Sequence, residues 1–142
     1  MSIWNERFLR LAEHVARWSK DPSTKVGAVI VRPDRTIVSL GYNGFPRGVG
    51  DAEYRYMNRD TKYAMVVHGD MNAILNAREP LHGCTMYVVP MPPCSTCAGA
   101  IIQAGIVRVV AQKTTNPRWQ ENFLHTRTMF AEAGVTLQEE SL

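Results

Sequence analysis

The chain has 142 residues and a formal net charge of +3, from 16 Lys and Arg against 13 Asp and Glu. That length corresponds to one domain with a real core, and 45% hydrophobic with 20% charged residues excludes a disordered chain. Three cysteines are too few for a disulfide-stapled secreted domain, and the charges spread through Met1–Lys20 do not fit a signal peptide. No apolar run approaches the roughly 18 residues of a membrane span, so a cytoplasmic protein without membrane contact is expected. The mild basic excess suits an anionic small ligand. Mixed-sign loops, with no basic stripe interleaved with aromatics, argue against a polynucleotide partner.

Ser2 is a candidate N-cap, and Ile3, Trp4, Phe8, Leu11, Ala12, Val15 and Trp18 recur at helical spacing up to the stop at Pro22. Val26–Val31 is short, apolar and β-branched, a buried strand. Pro33-Asp34-Arg35 turns the chain into an antiparallel partner over Thr36–Tyr42. Asn43–Val67 has little periodicity and reads as one long functional or mobile loop. A helix over Asp70–Ala77, a strand over Thr85–Val89, a helix over Cys94–Gln103 and a strand over Val107–Ala111 follow. A helix over Glu121–Ala133, ended by Gly134, leads to a last strand over Val135–Leu137. This order predicts an α/β fold, a three-layer α/β/α sandwich around a mixed five-stranded sheet, in a single domain over 1–142.

Two fragments carry the chemistry, and each opens a helix: Val67-His68-Gly69-Asp70 and Pro92-Pro93-Cys94-Ser95-Thr96-Cys97. A helix N-terminus offers free backbone N–H groups and a positive dipole end, which favour the metal-binding thiolate. Cys94 and Cys97, at i and i+3, converge with His68 as a Cys₂His set that leaves a fourth tetrahedral position for water, the arrangement of a catalytic zinc. Zn²⁺ in such a site lowers the pKa of water towards ~7. A redox C-x-x-C and a closed structural zinc with Cys84 as fourth ligand are the competing readings, although Cys84, just before a strand, reads better as a packing residue.

Trp18–Ala28, Gly41-Tyr42-Asn43-Gly44-Phe45-Pro46, Asn72-Ala73-Ile74, Gly83–Tyr87, Pro93–Cys97 and Ile101–Ile106 come in the order of a known family. The chain resembles the zinc-dependent cytidine and deoxycytidylate deaminases, most closely the dCMP deaminases, whose signature is H-x-E…P-C-x-x-C. The resemblance implies a cytidine deaminase-like fold, a homo-oligomer and hydrolytic deamination of a cytosine base. It departs at one place: His68-Gly69-Asp70 stands where the family has His-Ala-Glu. In the family the Glu takes a proton from the attacking water and passes it to the ring nitrogen and the leaving ammonia. Asp70 is the catalytic candidate on a stem shorter by one C–C bond, roughly 1.5 Å, and misplacement by about 1 Å costs ~100-fold in rate. Gly69, without a Cβ, is a candidate for compensating by closer backbone approach. The leading reading is deamination of dCMP, or a 5-modified dCMP, to dUMP and ammonia. The alternative is a catalytically weak zinc- and nucleotide-binding sensor.

A nucleotide substrate needs N–H, O–H or cationic partners. Ser23, Thr24 and Lys25, in the loop after the first helix, and Asn43 are candidates, as are Arg118 and Trp119 after the fourth strand. Asp21, Ser23 and Thr24 also suit a plain turn, and Trp119 a packing anchor. Gly41-Tyr42-Asn43-Gly44 resembles the segment through which some dCMP deaminases sense dCTP and dTTP. Arg47, Arg55, Arg59 and Lys62 read as the basic residues of a solvated loop.

Overall fold

Ser2 accepts a hydrogen bond from the Asn5 N–H at 3.1 Å, and α1 runs from that cap over Ile3–Ala16. In this computed structural model, which describes residues Met1–Leu142, the sheet is built from β1 (Gly27–Val31), β2 (Ile37–Tyr42), β3 (Thr85–Val89), β4 (Arg108–Gln112) and β5 (Thr136–Glu140). Between β2 and β3 lie α2 (Glu53–Met57), α3 (Arg59–Met65) and α4 (Gly69–Asn76). Helix α5 (Ser95–Gln103) connects β3 to β4, and α6 (Gln120–Ala133) connects β4 to β5. The spatial order is β2-β1-β3-β4-β5. The pairs β2–β1 and β1–β3 are antiparallel, and β3–β4 and β4–β5 are parallel. The parallel pairs require crossovers, which α5 and α6 supply.

The strand period of two divides the core into two layers. Ala28, Ile30, Met86, Val88, Val109 and Ala111 face a cluster completed by α4, α5 and α6. Val29, Val31, Tyr87, Val89 and Val110 face Phe8, Leu9, Ala12 and Ala16 of α1. The mixed five-stranded sheet between two helical layers is the expected sandwich. Cys84 is buried in the first of these layers, as its packing role predicts.

The sequence reading and the structure part company at Asn43–Val67. That stretch is ordered into α2 and α3, held by a Gly44–Val67 bridge and by Phe45 stacked on Tyr56 at 4.4 Å. Helix α3 buries no residue of its own, so no apolar period announces it. Its one local signal is Asn58, whose side chain caps the Thr61 N–H at 3.1 Å. β5 extends to Glu140 because Gln138 and Glu139 on this edge strand reach Arg108 and Arg127, contacts that apolar patterning does not register.

Helix α4 is sewn to the edge strand β2. Asn72 donates to the Tyr42 carbonyl at 2.8 Å, Asn76 to the Leu40 carbonyl at 3.0 Å, and Ser39 donates to the Ala73 carbonyl at 2.7 Å. These bonds occupy polar groups that an open sheet edge leaves unpaired. The backbones approach so closely that a Cβ at Gly41 would lie 2.3 Å from the Ala73 nitrogen and 2.6 Å from the Gly69 carbonyl oxygen. We expect Gly41→Ala to destabilise the protein by about 1–3 kcal/mol through overpacking. A lower denaturant midpoint at unchanged m-value is the signature to measure.

Candidate active site

Two helix starts meet at the C-terminal end of β3. His68 is the N-cap residue of α4 and Cys94 that of α5, both with extended backbone, and Cys97 lies inside the first turn of α5. His68 Nδ1 stands 3.5 Å from the Cys94 sulfur and 3.3 Å from the Cys97 sulfur, and the three donor atoms lie within 4.8 Å of one another. Zn–S bonds of about 2.3 Å and Zn–N bonds of about 2.0–2.1 Å meeting at a tetrahedral angle put nitrogen and sulfur roughly 3.5 Å apart. The residues therefore fit zinc as they stand. Cys84, in the opposite part of the core cluster with its thiol pushed up by burial, does not belong to the set, which leaves the site with three protein ligands.

Asp70 enters from the first turn of α4 and is 4% exposed. Its Oδ1 accepts the Met71 N–H at 3.1 Å. Burial pushes its carboxyl above the ordinary aspartate range, against the opposing effect of a hydrogen bond with Cys97. Without metal the two thiols share one proton. The hydrogen bond from Cys97 and the contact with His68 bring Cys94 down to about 4, while the Cys94 thiolate, burial and Asp70 push Cys97 up. The hydrogen bond to Cys94 raises His68.

A cavity of about 300 Å³ opens above this floor. His68, Asp70 and Cys94 line it together with Ser23, Thr24, Asn43, Arg118 and Trp119. Cys97 sits behind the wall, 2% exposed. Lys25 is not brought to the cavity, because its ammonium is engaged by the Ser19 carbonyl. Asn43 is largely occupied by the protein: its amide nitrogen donates to Thr24 O at 2.9 Å and Asp21 Oδ2 at 3.3 Å, and its Oδ1 accepts the Val26 N–H at 2.8 Å. Ser23 and Thr24 offer their hydroxyls, since both backbone N–H groups are turned onto Asp21 Oδ1. Trp119 combines both readings, lining the cavity while it starts α6 and stacks on Phe123.

The outer wall comes from α3, in the stretch whose pattern predicts a solvated loop. Lys62 forms an ion pair at 2.8 Å with Asp21, whose side chain is 1% exposed, and Arg59 and Tyr63 also line the cavity. Leaving a buried charge such as Asp21 without its partner costs about 3–5 kcal/mol. The pair therefore fixes α3 to the loop after α1. Gly41 is packed under α4, whereas Tyr42 and Gly44 line a second cavity of about 270 Å³ with Arg47, Val67 and Leu75. Asn43, Val66 and His68 face the first cavity from the same two extended segments, so one thin wall separates the two spaces.

Zinc must displace the shared thiol proton and meet a neutral His68, so its affinity should rise with pH and weaken as pH falls through the raised His68 range. Chelator competition at several pH values measures this. Cys97→Ala should lower zinc content from one per chain and weaken affinity by at least about 10-fold, given that even outer-shell changes cost 10–100-fold.

The model of the cytidine and deoxycytidylate deaminase zinc-binding region matches residues 2–113. A protein of Aliivibrio fischeri described as an uncharacterized deaminase in the luxG 3' region is 45% identical over 138 residues, 95% of this chain and 92% of the relative. Deoxycytidylate deaminase of Mus musculus is 40% identical over 142 residues, 96% of this chain and 79% of the relative. The crystal structure of dCMP deaminase from the cyanophage S-TIM5 superposes with a TM-score of 0.77 at 23% identity, covering 99% of this chain and 100% of that one, which shows the shared fold. The zinc-compatible triad, the matched region and the relatives agree: this chain belongs to the zinc-dependent cytidine and deoxycytidylate deaminase family, hydrolases acting on C–N bonds.

Proposed function

We propose that this protein hydrolytically deaminates a pyrimidine deoxynucleotide, dCMP or a 5-modified dCMP, to the corresponding dUMP and ammonia. The observation that carries the reading is Asp70, a buried carboxyl in contact with the His68–Cys94–Cys97 set at the floor of a cavity sized for a small molecule. Relatives named deoxycytidylate deaminase, and the S-TIM5 enzyme crystallised with dCMP and dUMP, support the substrate class.

His68, Cys94 and Cys97 hold the zinc, which supplies Lewis acidity and makes water a nucleophile near neutral pH. Asp70 accepts the proton that the water loses as its oxygen bonds to C4 of the ring. Asp70 hands that proton to N3, then takes the second proton from the C4 hydroxyl and passes it to the departing amino group, so that the C–N bond breaks and ammonia leaves a C4 carbonyl. Burial serves the second half of this cycle, because a carboxyl with a raised pKa holds a proton long enough to hand it on. Ser23, Thr24 and Arg118 donate to sugar and phosphate. Trp119 covers the base, while Asn43 and Lys25 brace the loop that carries Ser23 and Thr24.

Regulation, assembly and location follow from the same reading. The thin wall between the cavities supports a response to dCTP or dTTP through Gly41, Tyr42, Asn43 and Gly44, since a ligand against Tyr42 and Gly44 presses on the segments that carry Asn43 and His68. Tyr42 and Leu75, 40% and 62% exposed around the second cavity, support a homo-oligomer. The free cysteines support a reducing, cytoplasmic setting, and no helix is long and apolar enough to cross a membrane.

The direct test incubates zinc-loaded protein with dCMP, CMP, deoxycytidine and 5-modified dCMP and follows ammonia. Release from a deoxynucleotide is expected, and Asp70→Asn should lower turnover by about 10²–10⁴-fold, the scale of a lost general acid–base group. No release from any substrate at one zinc per chain would leave the sensor reading, which the shorter stem of Asp70 favours.

Gly69 gives a second test. A Cβ there would lie 2.9 Å from the Val26 carbonyl oxygen and 3.0 Å from Val26 Cγ1. Asn43 holds both backbone polar groups of Val26, so the displacement falls on α4. Gly69→Ala and Asp70→Glu should each reduce turnover, and the double variant should lose less than the product of the two. Additive losses in this double-mutant cycle would mean that the two positions act independently.

A further inference from the structure

We propose that Asn122 and Thr126, on one face of α6, are positioning residues for the zinc ligand Cys94. The inference rests on the zinc set and not on the substrate, so its test reads the metal directly. Cys97 lies inside the first turn of α5 and is 2% exposed, so helix and core hold it. Cys94 is the N-cap residue, extended and only half-buried, with no capping bond from its own side chain. The chain that leads to it has few means of holding itself. Residues 90–93 belong to no helix or strand, and Pro90, Pro92 and Pro93 have no backbone N–H to donate.

Helix α6 supplies what this stretch lacks. The Thr126 hydroxyl, fully buried, donates to the Pro93 carbonyl at 2.8 Å. Asn122 Oδ1 accepts the Ser95 N–H at 2.8 Å, and Asn122 Nδ2 donates to Ser95 Oγ at 3.0 Å. The Ser95 N–H is one of the first donors of α5, which have no acceptor within their own helix. Asn122 therefore caps α5 from outside. The residues on both sides of Cys94 are held from two positions one helical turn apart. Neither side chain has another hydrogen-bond partner. The helices do not need these bonds to pack, because Ala98 and Ile101 of α5 already share a core cluster with Phe130 of α6. What the bonds add is precision: zinc–ligand distances hold to within about 0.2 Å, finer than a proline-rich turn maintains alone. The same helix carries Trp119, which lines the cavity and stacks on Phe123 at 6.3 Å. One element thus places both a cavity wall and a thiolate.

The experiment measures zinc affinity by chelator competition and the absorption spectrum of the cobalt(II) form. It compares wild type with Asn122→Ala, Asn122→Asp and Thr126→Val, and melting of the metal-free proteins controls for folding. Asn122→Ala and Thr126→Val should each weaken zinc by about tenfold, the low end for residues that support a ligand, and shift the cobalt–thiolate bands. Asn122→Asp keeps an acceptor for the Ser95 N–H, so it should bind zinc more tightly than Asn122→Ala and restore the spectrum. Unchanged zinc affinity and cobalt spectra in Asn122→Ala and Thr126→Val overturn the proposal, whatever the melting temperatures, because a purely structural contact gives that result. An Asn122→Asp variant as impaired as Asn122→Ala overturns the role of the Ser95 N–H. Ammonia release from dCMP, followed in parallel, keeps this inference apart from the deaminase reading. An inactive wild type whose variants lose zinc affinity retains the positioning role and overturns deamination. An active wild type whose variants keep zinc affinity does the reverse.

Discussion

The active site depends on how closely α4 is seated on the sheet. Its first turn carries His68 and Asp70, and both sides of that turn are closed by backbone. On one side Gly41 of β2 admits the Ala73 nitrogen and Gly69 carbonyl at distances no side chain would allow; on the other, Gly69 lies against Val26. Val26 cannot retreat, because Asn43 donates to its carbonyl and accepts from its N–H. The position of α4 relative to the thiolates of α5 is therefore set by two missing Cβ atoms and one asparagine. Packed interiors transmit displacement rather than absorb it, so a few tenths of an ångström at Val26 reach the histidine and the carboxylate.

Asp21 is the second organiser. One buried carboxylate caps the N–H groups of Ser23 and Thr24, accepts from Asn43 and pairs with Lys62. It ties the loop after α1, the end of β2 and helix α3 to a single point. Its charge is neutralised by Lys62, which leaves the cavity electrically polarised along its length. The floor holds the buried carboxyl of Asp70, and the rim carries the exposed cations Arg59 and Arg118.

Much of this was legible in local pattern. Ser2 capping Ile3–Ala16, the short apolar, β-branched run of β1, and Gly134 (φ 77°) ending α6 are signals a few residues long, and the structure follows them. The metal set was legible for the same reason: two cysteines one helical turn apart at a helix start, and a histidine opening another helix, constrain their own geometry. Lys25 illustrates the limit. Its residue type suits a phosphate, but Ser19 lies within reach and takes the ammonium, which no pattern around position 25 announces.

The sequence by itself determined the donor set His68, Cys94 and Cys97 and the layer architecture, because each is carried by residue identity and short-range period. Tertiary structure alone decided the outer wall that α3 gives the cavity. Helix α3 has no buried face to declare it, and its place comes from the pairing of Lys62 with Asp21, 41 residues away, and of Tyr63 with Arg118, 55 residues away. Ion pairs and aromatic posts at such separations leave no period in the chain. They exist only once the sheet has brought the loop after α1, the wall at His68 and the start of α6 to the same end of β3.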